Sequence, residues 1–196
     1  MAAFIYPDSG STDGGQLNND SYEVADLFDE GFTSAADTAD GTLSNLGVAY
    51  ASAEPPSAGF PMTITLEFDA AVDIEAFHLW NITHPSATGP RQRGVKDFSL
   101  TFYDGTGGSG NQIGPAYNGT AVIGPDPGET ISSQTFSFAS SYNGVRSVEF
   151  QVISNQLEDS SEWVGLRELG FEVIPEPSSV LLTGAAGLCL LLRRRR

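Results

Sequence analysis

Apolar and polar residues alternate along much of this chain. Ile64, Leu66 and Phe68 are separated by polar residues, and so are the apolar residues between Phe98 and Phe102. A period of two indicates β-strands with one face on a core and the other in water. Similar stretches occur at residues 64–68, 72–80, 98–102, 136–138, 148–152 and 169–173. Gly- and Pro-rich connections separate them, which predicts an all-β fold: an antiparallel β-sandwich or jelly roll over residues 21–174.

The N-terminal part lacks this alternation. Residues 7–20 are rich in Gly, Ser, Asp and Asn, and residues 1–20 are therefore predicted to form an irregular segment. Val24, Leu27 and Phe28 recur at helical spacing, which predicts a short helix. The first residues provide neither the basic start nor the apolar stretch of an export signal. We expect that a start site placed too late has removed such a signal, the alternative being that the chain is a fragment.

The C-terminal region, residues 175–196, has a different pattern. Pro175-Glu176-Pro177 precedes an uncharged apolar run at residues 180–192, and Arg193, Arg194, Arg195 and Arg196 follow it. The run predicts a single hydrophobic transmembrane helix about 20 Å long, which is short for a comfortable bilayer span. The arginines would hold its C-terminal end in the cytoplasm, so the rest of the chain would lie across the membrane.

These three parts, in this order, resemble the PEP-CTERM sorting signal of Gram-negative bacteria, whose proteins are handled by exosortase. The resemblance implies a temporary tether in the inner membrane, cleavage near Pro-Glu-Pro, and delivery to the cell surface or extracellular matrix. An ordinary membrane anchor and a buried core helix are the alternatives.

Composition narrows the possible partners. The chain has 9 basic and 25 acidic residues, and four of the basic ones are the terminal arginines. A body this acidic repels nucleic acid, because nucleic-acid binding depends on Lys and Arg neutralising phosphates. The single cysteine, Cys189, lies in the apolar run and cannot form a disulfide within the chain.

A second resemblance covers residues 20–174. Leu27-Phe28-Asp29, Leu79-Trp80-Asn81, the segment 93–98 and a closing Val164–Phe171 strand are similar, in order and spacing, to the discoidin-type, galactose-binding-like jelly roll. The resemblance implies a structural Ca²⁺ held by Asp29, Thr33 and Glu168. Glu30 lies between Asp29 and Gly31, where the family pattern usually has Gly directly after Asp; a solvated acidic turn is the alternative.

Ligands of such jelly rolls bind at loop tips, so the resemblance implies a ligand site at the loop 81–93. His84, Arg91 and Arg93 are its candidate ligand-binding residues, and the two arginines are the densest positive charge of the acidic body. They could bind an acidic sugar or pair with neighbouring carboxylates. No catalytic residues are predicted: His78 and His84 suggest neither a zinc site nor a triad, and no nucleophile motif is present.

Together these patterns predict an exported, non-enzymatic protein with a carbohydrate-binding or adhesive β-sandwich, associated with exopolysaccharide in a biofilm. An extracellular enzyme acting on polysaccharide and a purely protein-binding surface module are the alternative hypotheses.

Overall fold

The computed structural model describes residues 3–13, 24–28, 34–39, 50–51, 60–82, 92–126, 129–158 and 164–175. Within them lie a 3₁₀ helix, Val24–Phe28, and ten β-strands. The strands are β1 (Ala3–Ile5), β2 (Ser9–Thr12), β3 (Thr38–Ala39), β4 (Tyr50–Ala51), β5 (Met62–Asn81), β6 (Asp97–Tyr103), β7 (Tyr117–Thr120), β8 (Ile131–Ser132), β9 (Gln134–Val152) and β10 (Gly165–Val173). Every pairing between named strands is antiparallel, which confirms the predicted all-β antiparallel fold.

Two long strands, β5 and β9, connect the two layers of the fold. Met62–Glu67 pairs with Ser147–Val152, whereas Ala76–Leu79 pairs with Gln134–Ser137. Between these two stretches the register shifts repeatedly. Both strands bend there, β5 at residues 68–75 and β9 at the residues opposite them. The sequence pattern predicts two separate strands here, whereas the structure has one bent strand, Met62–Asn81.

The bends divide the strands into two packed layers. One layer has the order β2, first half of β5, second half of β9, β6, β7. The other has the order first half of β9, second half of β5, β10, β1, and β4 also pairs with β10. β3 and β8 form a separate two-stranded sheet.

The core lies between the layers and is rich in phenylalanine. The ring of Phe77 lies 5.6 Å from that of Phe98, 5.5 Å from that of Phe150 and 5.3 Å from that of Phe171. All four side chains are fully buried. Aromatic pairs at these separations add to the burial of apolar area, so this cluster fixes the two layers against each other.

The opposite face of β5 carries a second, smaller apolar cluster. Trp80 is fully buried and packs with Ile131 and Phe4, and its indole N–H donates to the Asp37 carbonyl oxygen at 2.9 Å. Phe77 and Leu79 therefore face the main core while His78 and Trp80 face away from it, as the alternation predicts. Trp80 is a packing residue and not an exposed sugar platform.

The prediction of an irregular segment at residues 1–20 is wrong for residues 3–5 and 9–12, which form strands. β1 pairs with β10 through Ala3–Ile5, and β2 pairs with β5 through Ser9–Thr12. The small residues of β2 give no apolar alternation in the sequence. They still form a strand, because backbone hydrogen bonds alone can hold an edge strand. Gly10 in β2 lies close to Val24 and Phe28 of the 3₁₀ helix, which leaves no room there for a side chain.

The sandwich has two ends, which β10 connects. At its start, Gly165 donates its N–H to the Arg93 carbonyl oxygen at 3.0 Å, and after its last residue Ile174 donates to the Asp73 carbonyl oxygen at 2.9 Å. A nine-residue strand spans roughly 27 Å. We call the end of the sandwich where β10 starts the loop end (residues 92–97, 121–126 and 153–158). We call the end where β10 finishes the tail end (residues 68–73 and 174–175).

The tail itself is described only as far as Ile174 and Pro175, both of them exposed. Glu176, Pro177, the predicted helix 180–192 and Arg193–Arg196 lie outside the described residues, so the sorting motif stays a prediction. Among the residues that the structure describes, no helix is long and apolar enough to cross a membrane.

Candidate ligand-binding site

The loop end is organised around the side chain of Asn81, the last residue of β5. Its Nδ2 donates to the carbonyl oxygens of Val95 and Val122 at 2.8 and 2.9 Å. Its Oδ1 accepts the backbone N–H groups of Val95 at 2.9 Å and Ile82 at 3.1 Å. Asn81 is only 1% exposed. One buried amide therefore joins three chain segments, as the position of Asn81 before a loop suggests.

Two glutamines extend this network. Gln156 Nε2 donates to the carbonyl oxygens of Val95 and Ala121, both at 2.8 Å. Gln134 forms a reciprocal pair with the Val122 backbone, accepting its N–H at 2.7 Å and donating to its carbonyl at 2.8 Å. A side-chain amide can accept a backbone N–H and donate to a backbone carbonyl at once. These amides therefore form the backbone hydrogen bonds that a neighbouring strand would otherwise form with the loops. The amides thereby join the segments of the loop end into one hydrogen-bonded frame.

This frame supports a cavity of about 390 Å³ lined by Phe60, Lys96, Asp97, Ile153, Ser154 and Glu158. The lining residues come from three parts of the chain that the sheet register brings together. Met62 pairs with Val152, and Val152 pairs with Phe98 on its other side. The residues that flank these three strand ends therefore meet at the loop end of one layer.

Asp97 is the most firmly held polar group of the cavity. Its Oδ1 accepts the Thr120 hydroxyl at 2.8 Å and its Oδ2 accepts the Ser154 hydroxyl at 2.9 Å. These two hydrogen bonds, Thr120 first, hold the pKa of the Asp97 carboxyl below its ordinary value, and the nearby Lys96 acts in the same direction. The carboxylate is therefore ionised at neutral pH and has a fixed orientation.

Lys96 and Glu158 form an ion pair across the cavity. The hydrogen bond to Glu158 is the main reason that the pKa of the Lys96 ammonium is raised. Glu158 has φ +57°, a backbone conformation that is uncommon for a residue with a side chain. Its N–H donates to the Asn155 carbonyl oxygen at 3.1 Å, which closes the turn that carries the carboxylate toward Lys96.

Apolar side chains are concentrated around this end. Among the described residues, the exposed large apolar side chains are Val122, Ile123, Ile153, Leu157 and Ile174. All but Ile174 belong to the loop end, and Ile153 lines the cavity itself. Exposed apolar groups next to polar groups at a concave surface are typical of binding sites.

Of the three ligand-binding residues predicted from the sequence, the structure describes Arg93, which lies at the loop end. Arg93 is half-buried, and its carbonyl oxygen holds the start of β10. His84 and Arg91 lie outside the described residues, so their role stays a prediction. Sequence reasoning missed Phe60, Asp97 and Glu158, because no local motif connects residues so far apart; only the register of β5, β6 and β9 does.

The predicted calcium site is described only in part. Glu168 is a fully buried carboxylate on β10, and β10 packs against the 3₁₀ helix that ends one residue before Asp29. Carboxylate oxygens are ligands that Ca²⁺ prefers, which is the chemistry that the predicted site requires of Glu168. Asp29 and Thr33 lie outside the described residues, and the site stays a prediction. Within the described ranges, no three His, Cys, Asp or Glu side chains are grouped as a metal site would require.

His78 is the only histidine within the described ranges. It is fully buried, with Nδ1 3.0 Å from the Thr135 hydroxyl and Nε2 3.5 Å from a Glu172 carboxylate oxygen. Burial lowers its pKa from 6.5 to about 4. His78 lies on the outward side of β5, away from the cavity, so it is a packing residue of the second apolar cluster.

Solved structures show which fold this is. The chain is similar to a family 32 carbohydrate-binding module from the C. perfringens protein NanJ, solved with galactose: TM-score 0.55, 8% identity, 88% of this chain and 99% of that one. It is also similar to a fucose-binding module of Streptococcus pneumoniae, with TM-score 0.53, 16% identity and coverage of 87% and 93%. The family 32 module of AlyQ, solved with 4,5-unsaturated mannuronic acid, gives TM-score 0.52, 14% identity and coverage of 86% and 96%.

These similarities define the class of fold: the β-sandwich of family 32 carbohydrate-binding modules, which agrees with the discoidin-like body predicted from the sequence. The chain matches no protein-family model and no curated protein sequence.

Proposed function

We propose that the chain is a non-catalytic carbohydrate-binding module that binds its glycan at the loop end. The observation that carries this proposal is the cavity between Phe60, Asp97 and Glu158, on a fold shared with modules solved with galactose and with a fucose-binding module. The cavity combines an aromatic ring, an aliphatic wall and fixed polar groups, which is the composition that sugar rings require of a site.

Affinity electrophoresis through gels that contain the host's exopolysaccharide tests this proposal. Retardation of the full chain is expected, and a Phe60→Ala variant should be retarded less. The run is repeated with calcium and with EDTA, because the proposed Ca²⁺ at Asp29, Thr33 and Glu168 would stabilise the fold near the 3₁₀ helix. Unchanged mobility under all conditions would exclude binding to that polysaccharide.

The same incubation separates the module from an enzyme. If the chain cleaved the polysaccharide, new reducing ends would accumulate with time, whereas a binding module releases none. The exposed apolar side chains Val122, Ile123 and Leu157 favour a protein partner as the second candidate function. Such a module would capture protein partners and show no retention by glycans.

We further propose that the protein is exported and sorted by exosortase through Pro175-Glu176-Pro177, the apolar run 180–192 and Arg193–Arg196. It would be tethered in the inner membrane during sorting and then reside at the cell surface or in the extracellular matrix, in association with biofilm exopolysaccharide. The geometry of the sandwich leaves room for such a tether, because β10 ends at the tail end, about one strand length from the cavity. A tether there would present the loop end away from the membrane.

A further inference from the structure

We infer that the cavity binds a glycan with free amino groups and selects it against glycans that carry uronic acids. This inference rests on the proposed function and adds the charge class of the ligand. It is drawn from the charges that line the cavity and from which of them already have a partner.

The first step concerns Asp97 as a fixed anion. Thr120 and Ser154 donate one hydroxyl to each of its carboxylate oxygens, at 2.8 and 2.9 Å. Its backbone is also held, since the Asp97 carbonyl oxygen accepts the Ile153 N–H at 2.8 Å. Each carboxylate oxygen can accept a second hydrogen bond. Asp97 can therefore receive an ammonium group without moving.

The second step concerns Lys96, the one cation among the described residues that line the cavity. The Lys96 ammonium is hydrogen-bonded to Glu158 and lies beside Asp97. A sugar carboxylate could bind Lys96 only by displacing Glu158. It would then lie close to the Asp97 carboxylate, which repels it. A sugar ammonium meets two carboxylates and displaces nothing. The described lining residues thus have one net negative charge, and the chain as a whole, at −16, adds to the same field.

The third step concerns the apolar part of the cavity. Phe60 is half-buried against the main core, and Ile153 is 42% exposed. Together they offer an apolar wall for the C–H face of a sugar ring, while Asp97 and Glu158 lie on the polar side. An aromatic ring next to carboxylates also favours a cationic ligand, because its face is negative. The wall and the charges therefore select the same class of sugar.

The test uses the full chain and three oligosaccharides of equal length: oligoglucosamine, its fully N-acetylated counterpart and an oligouronate. Calorimetry at low and high salt gives each affinity. We expect oligoglucosamine to bind roughly threefold to tenfold more tightly than the N-acetylated oligomer, from the ion pairing with Asp97 and Glu158. The oligouronate should bind weakest, and the preference should shrink at high salt.

Two variants and a matched control assign the effect. Asp97→Asn and Glu158→Gln should each reduce the preference for oligoglucosamine. Glu158 is 67% exposed, so its variant is expected to fold even if loss of the hydroxyl partners makes Asp97→Asn less stable. Asp69→Asn removes the same charge from an exposed position at the tail end and should leave the preference unchanged.

Equal or tighter binding of the N-acetylated oligomer would overturn the charge assignment and leave the proposed function standing. The assignment also fails if Asp69→Asn reduces the preference as much as Asp97→Asn, since the effect would then be the general field of an acidic protein. A chain that is retarded by exopolysaccharide but binds none of the three oligomers contradicts the assignment alone. A chain that is not retarded either contradicts the proposed function as well.

Discussion

Asn81 and Val95 form a reciprocal pair of hydrogen bonds, in which the side-chain amide of Asn81 takes the place of a neighbouring strand. Nδ2 donates to the Val95 carbonyl oxygen at 2.8 Å, and Oδ1 accepts the Val95 N–H at 2.9 Å. Both residues are almost fully buried. The loops that frame the cavity therefore depend on one side chain at the end of β5.

We expect Asn81→Asp to lower the free energy of unfolding by about 3 kcal/mol, because it replaces two amide donors by a buried carboxylate facing two carbonyl oxygens. Urea denaturation measures the change. Asn118→Asp, on an exposed position of β7, is the matched control and should stay within about 0.5 kcal/mol of the parent. Equal effects at both positions would show that the Asn81 network is not a stabilising frame.

His78 makes the stability of the sandwich depend on pH. Because its pKa falls from 6.5 to about 4 on burial, the unfolded chain binds a proton between these pH values and the folded chain does not. The contribution of His78 is therefore complete above pH 6.5 and is lost as the pH falls to about 4, by about 3 kcal/mol. Thr135 and the Glu172 carboxylate face the ring, and Phe4 covers it.

Urea denaturation at several pH values checks this expectation. His78→Asn keeps a polar atom near Thr135 and should flatten the slope of stability between pH 6.5 and 4.5. The same series with His84→Asn shows whether the other histidine contributes. A parent slope that survives in His78→Asn would assign the pH dependence to other groups.

Glu158 combines an uncommon backbone conformation with an ion pair, and the two can be separated. Glycine adopts φ +57° without a steric cost, which amounts to roughly 1–2 kcal/mol for other residues. An exposed ion pair such as Lys96–Glu158 contributes little to stability, because water screens it. We expect Glu158→Gly to be as stable as the parent or more stable, by up to about 1 kcal/mol.

Glu158→Gln keeps the backbone cost and loses the ion pair, so it should be slightly less stable than the parent. Urea denaturation ranks the three proteins. A glycine variant less stable than the glutamine variant would show that the turn does not strain Glu158.

Two glycines lie under phenylalanine rings, and they should respond differently to alanine. A methyl group at Gly119 would meet the ring of Phe98, and one at Gly170 would meet the ring of Phe4. Phe98 is fully buried among other rings, whereas Phe4 is half-buried on the short edge strand β1. We expect Gly119→Ala to cost about 3 kcal/mol and Gly170→Ala about 1 kcal/mol.

Thermal or urea unfolding measures both costs. Phe4→Leu shortens the side chain above Gly170, so the double variant should recover most of the loss caused by Gly170→Ala. Equal costs at the two glycines would contradict the view that β1 can yield and the core cannot.

The strands with alternating residues could be predicted from the sequence, because burial on one face leaves a period of two. Ile64–Phe68 and Phe98–Phe102 are examples, and their apolar residues are the buried ones. β2 could not be predicted in this way, since Ser9–Thr12 is held by backbone pairing and has no apolar face. The bend in β5 could not be predicted either. Each half of β5 alternates by itself, and the pattern does not show that the two halves form one strand.

The cavity is harder to predict than the strands for a related reason. Phe60, Asp97 and Glu158 meet only because Val152 lies between Met62 and Phe98 in the sheet. A shift of register by two residues would preserve the alternation of every strand and still separate these side chains. The sequence thus indicates the loop end through the loop 81–93, and the register decides which side chains line the cavity.

The proposed sorting tail gives the last prediction. If the positive charge of Arg193–Arg196 fixes the orientation of the apolar run 180–192, deleting the four arginines should leave the protein stranded or mislocalised. Replacing them by four lysines should preserve delivery, and replacing them by four glutamates should abolish it. Cell fractionation with immunodetection measures the surface-associated share.

An Asp69→Asn variant with an intact tail controls for effects of charge on the sandwich. Because β10 ends at the tail end, opposite the cavity, delivery and glycan binding should be lost independently. The chain without arginines should still be retarded by exopolysaccharide in vitro. Normal surface delivery of that chain would remove the sorting hypothesis and leave the binding hypothesis untouched.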